Sequence, residues 1–127
     1  MSQYALKKEI IGTAAEYIVK ASEGVGQIVE FFQSGREDVA TRMMVDLVEG
    51  IEWLTQAIEG TKDIHGEYSM DISQANSILR EISEAYENMD YVLISDLLEY
   101  ELLPIVNIWQ EQLANIKGVL DNDSAGE

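Results

Sequence analysis

The first third of the chain carries two patterns that both repeat at the spacing of an α-helix. Apolar residues alternate at intervals of three and four over about four heptads, and glutamates recur every seven residues beside them. In a helix the apolar series forms one seam, and the glutamates fall on the face farthest from it. We therefore predict a helix from about Gln3 to Phe32, with one buried side and one acidic side. The seam contains Ile11, Ala14, Ile18, Ala21, Val25, Ile28 and Phe32, and the acidic series contains Glu9, Glu16, Glu23, Glu30 and Glu37.

The rest of the chain predicts three more helices. A broad apolar stripe indicates a second helix at about 37–61, and a strict seam indicates a third at about 70–88. A long apolar segment predicts a fourth helix at about 91–120, and the broken pattern at 62–69 predicts a loop. Gly35 suits the left-handed position that follows the end of the first helix. The seam of the third helix contains Ile72, Ala75, Leu79, Ile82, Tyr86 and Met89.

Short connections and the absence of strand alternation predict an all-α fold, an up-down-up-down antiparallel four-helix bundle. Asp90 suits the N-cap position of the fourth helix. Pro104 lies within that helix and lacks the amide that would bond Tyr100, so we expect a kink there. Residues 1–120 form the predicted single domain. Residues 121–127 are polar and lack a pattern, which predicts a disordered acidic tail.

The sign of the charge restricts the kinds of partner. The chain has 127 residues, of which 24 are acidic and 8 are basic, for a formal net charge of −16. Such a field repels phosphate backbones and anionic lipid, so we expect no nucleic-acid partner and no membrane partner, and it favours a basic one. The absence of cysteine excludes disulfides and thiolate metal sites. Because we find no secretory signal and no apolar run of 18 residues, we expect a cytoplasmic protein.

Residue types that carry catalysis or bind metals are sparse. His65 is the only histidine, and we predict that it lies on a surface loop. No Glu-x-x-His motif and no phosphate-binding glycine motif is present. Acidic pairs one helical turn apart could hold Mg²⁺ across a bundle, although an acidic composition produces several by chance. We therefore predict no enzyme activity, no catalytic residue, no metal and no cofactor. The pairs in question are Glu49 and Glu52, Glu84 and Glu87, and Asp96 and Glu99.

Two other functions stay open as alternatives. The acidic pairs would fit a Mg²⁺-dependent all-α nucleotide pyrophosphohydrolase. The net charge would fit an acidic inhibitor that mimics DNA. Glutamates seven residues apart on a helix repeat every ~10.5 Å, which does not copy the phosphate spacing of a DNA strand in a simple way.

The fourth helix has more apolar residues than one buried face requires. From Tyr91 to Trp109, 13 of 19 residues are apolar or aromatic, and they occupy most of the circumference of the helix. The main face centres on Leu98, Leu102 and Trp109. A helix with a second apolar face buries it against another chain, either a second copy or a different protein. The residues predicted to bind that partner are Leu93, Leu97, Tyr100 and Leu103.

Glu101 is the candidate for a buried carboxylate. It lies at the edge of the main apolar face of the fourth helix, between Ile94 and Ile108. A carboxylate there would be partly desolvated and would require a partner, which Arg42 or Arg80 could supply.

Residues 90–104 read D-Y-V-L-I-S-D-L-L-E-Y-E-L-L-P. This segment, with its D-L-L-E-Y-E-L-x-P part, resembles a signature of small uncharacterised all-helical bacterial proteins. The resemblance implies a helical fold and no established activity. In size, acidity and four long helices, the chain also resembles flagellar and secretion export chaperones, an analogy at the level of fold.

Taken together, these observations favour a protein-interaction module. We interpret the chain as an adaptor or export-chaperone-like bundle without enzyme activity. We expect a protein partner, basic or helical, whose segment binds an apolar groove beside the fourth helix. We also expect a homodimer, because a self-complementary two-fold interface is the commonest way to cover a second apolar face.

Overall fold

The computed structural model describes the backbone of residues 2–66 and 70–125, and the side chains of residues 2–66 and 70–122. Within these ranges the chain is all-helical, and no strand is present. The predicted all-α class is therefore confirmed. The four long helices are α1 (Gln3–Gln33), α2 (Glu37–Gly60), α3 (Ile72–Glu87) and α4 (residues 91–125).

The seam predicted for α1 is confirmed. All seven apolar residues of the seam are buried, and all five glutamates of the acidic series are exposed. Ser2 caps the helix, since its Oγ accepts a hydrogen bond from the amide of Ala5 at 3.1 Å. Beyond the end of the helix, Gly35 has a φ of +80°, the left-handed conformation that glycine adopts without steric cost. Burial of this seam supplies the hydrophobic contribution of α1 to stability.

α2 lies close against α1 at a glycine. A Cβ atom added to Gly50 would overlap the ring and hydroxyl of Tyr17, so the absence of a side chain lets the tyrosine lie over the helix backbone. The same ring meets Trp53 edge to face, with centroids 6.3 Å apart. The indole of Trp53 is 38% exposed, whereas Trp109 on α4 is 1% exposed and among the largest fully buried side chains.

α3 begins two residues later than predicted, because Asp71 caps it. The Asp71 carboxylate accepts a hydrogen bond from the amide of Gln74 at 2.9 Å. A short 3₁₀ turn, Lys62–Ile64, follows α2. Residues 67–69 of the predicted loop lie outside the described residues.

The seam predicted for α3 is correct at its centre and wrong at its end. Tyr86 and Met89 are exposed, while Ile78 and Ala85 are buried. The reason is that α3 contacts both α2 and α4. Its buried stripe is therefore broader than a heptad seam, and the last turn directs Ala85 inward.

α4 changes its hydrogen-bonding pattern along its length. Asp90 caps it as predicted, with its carboxylate accepting from the amide of Leu93 at 3.1 Å. The amide of Leu103 donates to the carbonyl of Leu98, five residues earlier, which is the π-helical pattern. The π-helical segment lies just before Pro104, where an α-helical ladder lacks a donor. The three consecutive segments are α-helical Tyr91–Asp96, π-helical Leu97–Leu102 and α-helical Leu103–Ala125.

The helical backbone of α4 continues to Ala125, five residues past the predicted end at Leu120. No glycine or proline interrupts the chain between Leu120 and Gly126, so no residue stops the helix earlier. Residues 126 and 127 lie outside the described residues.

Polar contacts tie specific ends of the helices together. The Lys7 ammonium contacts the Asp63 carboxylate at 2.9 Å, which joins the start of α1 to the turn after α2. The Ser22 hydroxyl donates to Asn107 at 3.1 Å. The Gln33 amide donates to the Glu99 carboxylate at 3.4 Å, so the end of α1 lies beside the first half of α4.

Candidate partner-binding surface

The four residues predicted to bind a partner divide into two pairs. Leu93 and Tyr100 are on the surface, and Tyr100 is 67% exposed. Leu97 is only 6% exposed, and Leu103 is half-buried against the core. The expectation that Leu97 and Leu103 form part of an exposed face is therefore corrected. Within the chain α4 contacts both α1 and α3, and Glu99 and Asn107, on either side of Leu103, accept hydrogen bonds from α1. The surface available to a partner is therefore narrower than the composition of α4 suggested.

Glu101 is exposed, so the predicted buried carboxylate is also corrected. Ile108, which was expected to shield it, is itself 54% exposed, and this edge of α4 faces solvent. No ion pair joins Glu101 to Arg42 or Arg80 among the described residues. The Arg42 side chain instead donates to the carbonyl of Asp38 within α2.

A groove runs between α3 and α4, and we call it the α3–α4 groove. It consists of two depressions of about 440 and 430 Å³, which share Glu81 and Glu101. The first depression lies toward the α3–α4 turn and includes Glu84, Ala85, Asn88, Asp90, Leu93 and Leu97. The second includes Gln74, Ser77, Ile78, Tyr100, Pro104, Ile105 and Ile108.

Exposed apolar side chains continue beyond the groove onto the α3–α4 turn. Val92 is 75% exposed, and Tyr86 and Met89 are exposed as well. Met89 has a φ of +54°, a left-handed conformation that is uncommon for a residue with a long side chain. Sequence reasoning missed Met89 and Val92 as surface residues. Their signal was available, since Met89 lies within the short connection between α3 and α4 and Val92 lies off the main face of α4.

The charged residues that line the groove are all acidic, and exposed Arg80 lies one helical turn from Glu84 on α3. Between Arg80 and Lys117 the chain contains eight acidic residues and no basic one, so this stretch supplies half of the net charge. The ion pairs among the described side chains are Lys7–Asp63 and Arg36–Asp38, and neither involves this stretch. The carboxylates of Glu81, Glu84 and Glu101 are therefore solvated acceptors that border an apolar surface. This clustering of acidic residues can be read from the order of residues in the sequence, but not from the net charge alone.

The histidine does not lie on the surface, and that prediction is wrong. His65 is 5% exposed, and its Nε2 lies 3.0 Å from the carbonyl of Ile58 and 3.1 Å from Thr61 Oγ1. The Thr61 hydroxyl donates to the carbonyl of Ala57 at 2.7 Å, so Nε2 carries the hydrogen and donates. Together the two side chains satisfy carbonyls at the end of α2. The only histidine of the sequence thus forms a hydrogen bond with a carbonyl in the last turn of α2.

Among the described residues, Tyr17 and Asp63 have shifted pKa values, and both lie away from the groove. Burial raises the pKa of the Tyr17 phenol above its usual value, and the nearby Asp46 carboxylate raises it further. The hydrogen bond from Lys7 lowers the pKa of the Asp63 carboxyl, although Asp63 is exposed. Both shifts follow from contacts that α1 makes with α2 or the turn after it.

The acidic pairs considered for Mg²⁺ do not converge. Glu49, Glu52, Glu84 and Glu87 are exposed, and Glu99 is half-buried where it accepts from Gln33. Among the described residues no group of three His, Cys, Asp or Glu side chains is placed to hold a metal ion. The pyrophosphohydrolase alternative and the DNA-mimic alternative both stay untested predictions.

None of the helices, within the part of the chain that the structure describes, combines the length and the apolar character needed to cross a membrane.

A family model described as "Domain of unknown function (DUF8042)" matches residues 9–112. This range includes the segment 90–104 and most of the four helices. No curated protein and no solved structure matches the chain.

Proposed function

The chain belongs to the DUF8042 family, whose function is unknown, and we propose that it acts as a non-enzymatic protein-interaction module. The observation that carries this proposal is the α3–α4 groove, where apolar side chains remain exposed beside unpaired carboxylates. Leu93, Tyr100 and Ile108 are large apolar residues along one line of α4, and each is at least partly open to solvent. Contiguous exposed apolar patches rimmed by polar residues are typical of sites that bind another protein.

We place this surface on an up-down-up-down antiparallel bundle. The supporting contacts join Lys7 near the start of α1 to Asp63 after α2, and Gln33 at the end of α1 to Glu99 in α4. α3 contacts α2 and α4, as expected for neighbours in such a bundle. We further propose that α4 bends at the π-helical segment before Pro104. Such a bend would shape the groove, because Pro104 borders it.

The partner segment, in this proposal, lies along α4 in the manner of a helix bound in a groove. This is the mode of an adaptor or of an export chaperone. The competing use of the same surface is the predicted homodimer. Because Leu97 and Leu103 are already covered within one chain, the apolar area left for a second copy is small.

Site-specific photocross-linking in the native host tests the proposal. A photoreactive amino acid at position 100 should yield a defined adduct with another protein, whereas the same group at Val19, an exposed apolar position on α1, should not. Leu93→Ala in the position-100 variant should reduce the yield of that adduct, and mass spectrometry identifies the attached peptide.

Equal adducts at positions 100 and 19, or none at 100, would refute the interaction surface. Light scattering coupled to gel filtration separates the homodimer from a different partner. A wild-type chain that is dimeric at micromolar concentration and monomeric as Tyr100→Glu would assign the surface to self-association.

A further inference from the structure

We propose that the occupant of the α3–α4 groove is a basic amphipathic helix of about four turns. This inference rests on the proposed function and specifies its partner. It follows from three properties of the groove, namely its length, the apolar character of its floor and the single sign of its rim.

The length of the groove corresponds to a short helix. Along α3 its lining residues extend from Gln74 to Asn88, which are 14 positions apart. At a rise of 1.5 Å per residue, this separation is about 21 Å along the helix axis. An occupant of about 14 residues would fill it, which is close to four turns.

The floor and one edge of the groove are apolar. Ile78, Ala85, Leu97 and Ile105 are buried beneath it. Exposed Leu93, Tyr100 and Ile108 stand along the α4 side. A helix with apolar residues at i, i+3, i+4 and i+7 presents one continuous apolar stripe to such a floor. Burial of that stripe would cover the side chains that a single chain leaves open.

The rim selects the sign of the occupant. Glu81 and Glu101 border both depressions, and Glu84 and Asp90 border the first. All four are exposed, and none forms an ion pair among the described residues. Lysine or arginine residues on either side of an apolar stripe would reach these carboxylates. The surrounding stretch without a basic residue would also steer a cationic segment to the groove.

A second copy of this chain fits the groove poorly. A two-fold interface would place the carboxylates of both copies in one interface with no basic residue from either groove, because equivalent surfaces meet in such an interface. Its apolar residues would be covered only at the cost of like charges in the same interface. A basic helix covers the same apolar surface and pairs the carboxylates.

The test uses the full chain and three labelled synthetic peptides of about 16 residues. The first carries leucines at helical spacing with lysines on its other faces, the second has glutamate in place of every lysine, and the third scrambles the first. Fluorescence anisotropy at low and physiological salt measures binding. The first peptide should bind, the second should not, and the scrambled peptide should bind at least about fivefold more weakly, since it retains the charge and loses the stripe.

Matched variants locate the site. Glu81→Gln with Glu101→Gln should weaken binding of the first peptide by about fivefold. Glu16→Gln with Glu23→Gln, which removes the same charge from the exposed face of α1, should change it less than twofold. Leu93→Ala with Tyr100→Ala should weaken binding about tenfold, against little change for Leu6→Ala with Val19→Ala. All eight positions are exposed, so circular dichroism should show an unchanged fold.

Equal binding of the glutamate peptide or of the scrambled peptide would overturn the inference, as would equal effects of the groove variants and the α1 variants. These outcomes are distinct from failure of the proposed function. If the cross-link at position 100 persists but the attached peptide is neither basic nor helical, the interaction module stands and the basic-helix occupant is wrong.

Discussion

α1 and α4 are the two longest helices of this protein, and they use their apolar residues in different ways. α1 buries one uninterrupted seam and exposes four glutamates of the acidic series. The fifth, Glu37, is exposed at the start of α2. α4 buries Leu97, Leu98 and Leu102 within five residues of one another and still exposes Val92, Tyr100 and Ile108. In α1 the heptad pattern correctly predicted which seam residues are buried, whereas in α3 the same kind of pattern failed at the last turn. An apolar helix with a π-helical turn instead divides its side chains between core and solvent in a way that periodicity alone does not determine.

The largest expected effect is a difference in stability between two single-residue deletions, one in the π-helical segment and one in the α-helical segment that follows it. Deletion of exposed Glu111 would rotate the rest of α4 by about 100° and turn Leu113, Ile116 and Leu120 out of the core. We expect this to cost on the order of 5 kcal/mol, comparable with the whole stability of a small domain. Deletion of Tyr100 removes the additional residue that the i→i+5 pattern accommodates, and should cost at most about 2 kcal/mol. Urea unfolding measures both, and equal losses would show that the π-helical turn accommodates nothing.

A second comparison contrasts the seam of α1 with the open edge of α4. Ile18→Ala removes a fully buried side chain and should lower the free energy of unfolding by about 3 kcal/mol. Ile108→Ala, at a residue that is more than half exposed, should lower it by less than about 1 kcal/mol. Thermal and denaturant unfolding of the two variants give the difference. A loss at Ile108 as large as that at Ile18 would contradict its assignment to a free surface.

A third comparison tests the contact between α1 and α2 with two glycines. Gly50→Ala would place a Cβ atom against the Tyr17 ring and displace it from Trp53, so we expect a loss of about 1 kcal/mol. Gly24→Ala meets no atom within 4 Å and should stabilise α1 by about 0.5–1 kcal/mol through helix propensity. Opposite signs in urea unfolding are the expected result. Equal stabilisation by both substitutions would mean that the packing of Tyr17 over Gly50 does not contribute to the contact between α1 and α2.

The smallest effect concerns pH and the pair that joins α1 to the turn after α2. Because Lys7 lowers the pKa of Asp63 in the folded protein, the pair contributes stability above the ordinary value of 3.8, and the contribution disappears as the pH falls through the lowered value. Asp63→Asn should therefore lower the melting temperature slightly at pH 7, and this difference from the wild type should shrink as the pH falls below 3.8. Asp96→Asn, at another exposed carboxylate, is the control. A difference that grows toward low pH would have the wrong sign.

Sequence reasoning succeeded where one local rule determined the outcome. The seam of α1, the cap at Asp90 and the glycine at position 35 each depend on neighbouring residues alone, and the structure confirms all three. Prediction failed where a second helix made the decision. Leu97 is covered by α3, and Tyr86 is turned outward because Ala85 faces inward.

The candidate surface was predictable only in part, for similar reasons. The apolar surplus of α4 was visible in the sequence, but which residues remained open depended on the π-helical turn and on the position of α3. Glu101 was predicted to be a partly buried carboxylate at the edge of the main apolar face on the assumption of uniform α-helical spacing, and it lies in the π-helical segment. His65 was placed on the surface because no local pattern indicates its hydrogen bond to the Ile58 carbonyl.

The two tryptophans lie in different environments, so their fluorescence can report on two parts of the molecule separately. Trp109 on α4 is buried in the core and should emit at short wavelength, whereas Trp53 on α2 packs edge to face against Tyr17 and remains open to an aqueous quencher. Acrylamide, a neutral quencher that the acidic surface does not repel, should therefore quench Trp53 more strongly than Trp109, and Trp53→Phe should leave a signal from α4 alone. With no other tryptophan in the sequence, unfolding at the α1–α2 contact and unfolding of α4 can be recorded separately in unlabelled protein.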